Sequence, residues 1–287
     1  SQSAVFTNFS GLDTVNVSGA HDVTIDDAGS SMVSFDAYTQ DVTINNDSLA
    51  ATADVQSVTV SGGSWGTTDA TQTNIILTAD GTSGTLETLN VASSGSVANN
   101  FGLDAGSGVT LKSVNITGSA DATIRMDHAD ITGKTIDASE GADVTLRVDM
   151  HGTGSSGTLN ALNIASVDTL LMVDSTVGTD TGSVSNMASG QHVTLGDDMA
   201  ATTFTMATVT QASPAALLKV TLDNETADAD LDVANINAQN ISTLELASNG
   251  FAVSTSTTAE NSTGTLDGDF TTITISGDTS LDTVLDI

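Results

Sequence analysis

Along this chain apolar residues fall at alternate positions in short runs, and Gly, Ser, Asn and Asp separate the runs. A period of two marks a half-buried strand, because successive strand side chains point to opposite faces. One pattern recurs: apolar, any residue, Thr/Ser/Ala, apolar, often Asn/Thr/Glu, apolar, any residue, then Gly or Ser. Copies begin at Leu12, Val55, Leu86, Leu111, Leu159, Ile241 and Phe270. Within them Val15 and Val17, Leu89 and Val91, and Ile273 and Ile275 share one face. The intervening Asn16, Asn90 and Thr274 take the other.

A second pattern, Asp-Val-Thr-Ile or a close variant, usually follows the first. It starts at Asp22, Asp41, Asp121 and Asp143, and at His192 with His in place of Asp. Two short strands and a Gly/Ser corner, repeated, describe one rung of a stack. Such a stack pairs each strand with its copy in the next rung and buries the inward side chains in a narrow column. The segment Thr123–Asp127 returns as Thr145–Asp149 after 22 residues, a rung-sized period. The expected fold is therefore all-β, a parallel β-solenoid of short rungs, with a β-sandwich or tandem sandwiches as the alternative. Sandwiches also place short strands between turns, but they do not need one motif seven times.

The chain reads as a single repetitive domain, 1–287. Two segments interrupt it: the Gly/Ser run 152–157, and Ser213-Pro214 leading to Lys219, where Ser can cap a short helix with Pro at its first position. A sub-domain seam is expected near 211–219. At the far end, Leu281–Ile287 still alternates like a strand and carries no polar cap. Solenoid ends with open strand edges invite self-association, and a head-to-tail contact of that kind propagates.

Composition narrows the function. Asp and Glu number 36 against 5 Lys and Arg, a formal charge of −31, so phosphate-contacting nucleic-acid binding is excluded as a reading. No Cys is present, which removes disulfides and Cys-ligated zinc. No run of 18 apolar residues exists to span a bilayer as a helix. The start, Ser-Gln-Ser-Ala, lacks an initiator Met and a signal-peptide pattern, implying a processed chain or a fragment. Disorder is unlike this chain despite its charge, since 38% of residues are hydrophobic and only 14% charged.

The candidate chemistry is acidic. Asp228, Asp230 and Asp232 alternate, so on a strand three carboxylates would line one face about 7 Å apart. Asp26 with Asp27, and Asp197 with Asp198, sit at expected corners. Hard cations take oxygen ligands in such turns, and these seven Asp residues are the candidate Ca2+ ligands. A charge of −31 also means that close association of copies needs cations to offset repulsion. Arg125 and Arg147 fall one rung apart beside Asp127, Asp149, His128 and His151, with Lys134 between. Pairing of each Arg with a neighbouring Asp explains them more simply than an active cleft. His21, His128, His151 and His192 lack metal-ligand spacing. Trp65, on the Gly-rich stretch 62–66, reads as a corner filler.

Leu86-Glu-Thr-Leu-Asn-Val-Ala-Ser93, the segment Thr135–Ser139 and the Asp-Val-Thr-Ile echoes resemble calcium-dependent bacterial surface-layer proteins. More broadly they are similar to type I-secreted, RTX-associated surface proteins. The resemblance implies an extracellular β-solenoid that assembles into a lattice or filament when calcium is bound. The calcium nonapeptide Gly-Gly-x-Gly-x-Asp is absent, so no ligand is carried over from the family. The resulting expectation is a secreted structural protein, not an enzyme, located at the cell surface as a homo-oligomer. The alternatives are an adhesin or carbohydrate-binding module that contacts a surface glycan, and then a polysaccharide-active β-helix enzyme.

Overall fold

A computed structural model describes residues 2–5, 13–18, 21–27, 32–36, 40–46, 54–62, 74–79, 84–106, 108–150, 157–164, 166–173, 181–196, 201–206, 216–223, 231–249 and 260–286. The fold is all-β and parallel throughout its sheets, a β-solenoid and not a closed barrel. The chain forms two compact units, residues 1–126 with 133–146, and residues 127–132 with 147–287. The segment 211–219 falls inside the second unit, with 211–215 outside the described residues.

The first unit begins with β1 (Gln2–Val5), β2 (Thr14–Val17), β3 (Val23–Asp26), β4 (Met32–Asp36), β5 (Val42–Asn45) and β6 (Val55–Ser61). It continues with β7 (Asn74–Thr78), β8 (Gly84–Ser94), β9 (Asn99–Ala105), β10 (Val109–Gly118) and β11 (Ala122–Asp127). A single helical turn α1 (His128–Ile131) then leads to β12 (Thr135–Glu140) and β13 (Val144–Asp149), whose residues divide between the units. Odd strands β1 to β11 lie side by side in one sheet, and β2 to β12 in another. Each rung thus gives one strand to each sheet.

The second unit repeats the plan. Its strands are β14 (Gly157–Asn160), β15 (Thr169–Val173), β16 (Thr181–Met187), β17 (His192–Leu195), β18 (Ala201–Met206) and β19 (Leu217–Asp223). After them come β20 (Asn235–Gln239), β21 (Thr243–Asn249), β22 (Glu260–Gly268), β23 (Thr272–Gly277) and β24 (Ser280–Asp286). Odd strands β15 to β23 form one sheet and even strands β14 to β24 the other.

Register shows why alternation builds this fold. Val15, Val33, Val58, Val91 and Ile116 occupy one position on successive even strands, and Gln56, Leu89, Val114 and Ile136 occupy another. Of these, all but Val15 are buried. Identical inward positions therefore stack apolar on apolar, and each rung covers the one before it. A one-residue slip would turn every one of those side chains outward, so the pattern itself holds the register.

Corners need glycine at two equivalent places. Gly118 (φ 116) and Gly277 (φ 119) pair with Ser93 and Ser248 of the preceding rung. A Cβ at either would overlap the serine carbonyl oxygen. The same two corners each hold a buried asparagine. Asn99 Nδ2 donates to Ser93 Oγ (2.8 Å), Ser94 O (3.0 Å) and Val60 O (3.4 Å). Asn261 Nδ2 donates to Ser248 Oγ (3.0 Å) and Asn249 O (3.1 Å). These amides satisfy acceptors that the turning chain leaves inside the column.

Two expectations are corrected in detail. Leu217–Lys219 belongs to strand β19 and not to a helix end, because Leu218, Val220 and Leu222 alternate and are all buried. The motif copy at Leu159 stops as strand at Asn160, and Ala161–Ile164 makes a 3-10 turn that buries Ala161 and Ile164.

Candidate functional site

The seven candidate cation ligands separate. Asp197, Asp198, Asp228 and Asp230 lie outside the described residues. Asp26 closes β3 and belongs to a polar ladder: Asn45 Nδ2 donates to its Oδ1 (3.2 Å), and Thr78 Oγ1 donates to Asn45 Oδ1 (3.1 Å). Asp27 follows in the left-handed region (φ 59), its amide donating to Asn45 O (2.9 Å). Asp232 is exposed, bridges to Ser262, and accepts from Ser262 Oγ (2.8 Å). Asp26 and Asp27 belong to the first unit and Asp232 to the second. Among the described residues no three His, Asp or Glu side chains converge to hold a metal ion.

Other carboxylates do stack. Asp267 and Asp286 occupy the same position on β22 and β24, both exposed, and Asp282 takes the position next to Ser262. Like charges facing across adjacent strands repel. In the first unit Glu87 is held below the usual carboxylate range by its hydrogen bond from Lys112 (2.8 Å) and by the Asp54 amide (3.0 Å).

The basic residues are distributed differently from an open catalytic cleft. Arg147 and Asp149 share one face of β13 and are both buried, at 8% and 3% exposure. Arg125 is half-buried, and His151 and Trp65 lie outside the described residues. His192 on β17 is half-buried, with Nε2 hydrogen-bonded to Thr221 Oγ1 (2.9 Å). Burial first, and then the charge of Lys219 in register beside it, push its imidazole below the ordinary value.

The feature that alternation alone did not locate is the last rung. On β23, Ile273 and Ile275 stand in register with the buried Leu244 and Leu246, and on β24 Leu285 follows the buried Leu266. These are column positions, yet Ile275 is 52% and Leu285 48% exposed, with Val284 60% exposed on the neighbouring position. Both strands stand at the edges of their sheets. The rung presents an apolar floor framed by backbone N–H and C=O groups and by Asp278, Asp282 and Asp286. Compared with protein-family models, with curated proteins and with solved structures, the chain matches none of them.

Proposed function

We propose that this is a secreted structural protein whose copies assemble, rung on rung, into a surface layer or extracellular filament, with calcium offsetting the charge between copies. The observation that carries the reading is the exposure of Ile275 and Leu285 at positions whose in-register equivalents one rung earlier are buried. A further parallel rung covers that floor by the same stacking that covers every other, and heterologous contacts of this type do not close on themselves. The cation's role is neutralisation. A net charge of −31, with Asp267 above Asp286 at the exposed rung, opposes association, and a hard divalent ion suits carboxylate and carbonyl oxygens. The extracellular placement rests on the motif resemblance.

The test is electron microscopy of the purified protein with millimolar calcium and with a chelator, repeated on an Ile275→Lys, Leu285→Lys variant. Ordered fibres or sheets that vanish on chelation and in the variant support the full reading. Order that survives chelation keeps assembly and removes calcium from it. Monodisperse particles under all conditions overturn the assembly reading.

A further inference from the structure

A separate feature of the first unit points to a ligand. The outer face of its even-numbered sheet carries a polar cleft of about 420 Å3, lined by Asn90, Asn115, Thr117, Asp137, Ser139 and Glu140. Asn90, Asn115 and Asp137 hold one position on β8, β10 and β12. Asn115 Nδ2 donates to Asn90 Oδ1 (3.0 Å), so the Asn115 carbonyl oxygen is turned the other way, toward the Asp137 rung. A carboxylate only accepts, and the ladder therefore meets acceptor with acceptor at this step.

Directly beyond, the register slips. Regular pairing from Asn115 opposite Asp137 would set Thr117 opposite Ser139; instead it faces Glu140. The extra residue on β12 is a bulge, a device that re-aims side chains. Its consequence here is a second exposed carboxylate on the wall of the cleft, while the Ser139 amide fixes one oxygen of Asp137 (3.0 Å). The remaining lining is hydroxyl and amide, spread across three strands and so about 10 Å from end to end. That span exceeds a single ion and suits a chain of hydroxyl-bearing rings. No lining side chain is aromatic, so ring stacking cannot supply the affinity and charge-assisted hydrogen bonds must.

We propose that this cleft binds an amine-bearing saccharide. Its ammonium group sits among the Asn115 carbonyl oxygen and the Asp137 and Glu140 carboxylates, and its hydroxyls bond to Asn90, Thr117 and Ser139. An ammonium brings donors and no acceptor, which is what the ladder lacks at that step. Anionic polysaccharides are disfavoured by the same carboxylates. The proposal stands independently of assembly.

The experiment is calorimetric titration of the whole protein, in moderate salt, with a fully deacetylated glucosamine pentamer and with its N-acetylated counterpart. The deacetylated pentamer is expected to bind and the acetylated one to bind at least about tenfold more weakly. Glu140→Gln and Asp137→Asn, both isosteric and exposed, should each weaken the deacetylated pentamer by about tenfold, the loss of one charge-assisted bond. An Asp267→Asn, Asp286→Asn variant removes two charges from the second unit and should bind as the parent does. Absence of binding, equal binding of both pentamers, or unchanged affinity in the cleft variants overturns the proposal. So does an equal loss in the second-unit variant, which would mean that the amine reads net charge alone.

Discussion

Replacing Asn99 tests whether the buried corner amide holds the turn by hydrogen bonding or merely fills space. Its Nδ2 serves three acceptors, two at 3.0 Å or less and one at 3.4 Å, in a site with no solvent exposure. Asn99→Ala withdraws the donor and leaves Ser94 O and Ser93 Oγ buried without it. Unsatisfied buried groups cost about 1–3 kcal/mol each, and counting the two short bonds at the lower end with a small cavity gives about 3 kcal/mol. Asn99→Asp separates the causes. It keeps the shape but sets an acceptor against acceptors, so hydrogen bonding predicts a larger loss than for Ala, and packing predicts a smaller one. Protonation lets the carboxyl donate, so the Asp variant should also recover part of its deficit as pH falls. Urea unfolding followed by far-ultraviolet circular dichroism measures the loss. Amide-proton protection on β8 and β9 shows whether it is local to that corner. A change below about 0.5 kcal/mol for Ala, or an Asp variant more stable than the Ala variant at neutral pH, would refute the argument.

Two further measurements follow from the same structure. Gly118→Ala should cost about 3 kcal/mol or more, from backbone strain at φ 116 and overlap with the Ser93 carbonyl. Gly133→Ala, at φ 74 with nothing within 4 Å of the new methyl, should cost about 1–2 kcal/mol, and thermal melts of the pair give the comparison. His192 supplies a pH test: its folded value is depressed, so the unfolded chain takes up a proton first as pH falls through about 6.5. Its contribution is complete above that value and is lost on acidification through the lower folded one. Stability of His192→Gln, measured by urea titration, should therefore fall less steeply than the parent's between about pH 7 and pH 5.

The stacked fold was legible because inward positions repeat as apolar and outward ones as Thr, Asn or Asp. The 22-residue rung was legible too. Ala122 N–H donates to Asp143 O as Val23 N–H does to Asp41 O, where Val23 faces Val42, and this sets Ala122 opposite Val144. Which sheet a strand joins was not legible. The copies at Val55, Leu86 and Leu111 form even strands, but those at Ile241 and Phe270 lie on the odd strands β21 and β23. A period of two specifies a face, and both sheets offer the same face to the column. Asn99 and Asn261 escaped for another reason. They follow their serines by 6 and 13 residues, so one contact in space has no constant spacing along the chain. The β12 bulge likewise leaves Thr135–Glu140 reading as ordinary strand. Of the candidate ligands, Asp26 and Asp232 show why acidity alone misleads: each carboxylate is a hydrogen-bond acceptor for the adjacent strand.

Rung length varies while register does not. Thr14 meets Met32 after 18 residues, whereas Val55 meets Thr88 after 33, and both lie in the same continuous even sheet. Closing the longer connection costs little, since doubling a flexible loop adds only about 0.6 kcal/mol. The sheets thus behave as a frame whose connections can lengthen or change composition almost without penalty. Foreign peptides spliced between β6 and β7, where the chain already carries a long connection, would be carried outside a column that does not register their presence. A surface built from such units could change what it displays while keeping the way it stands.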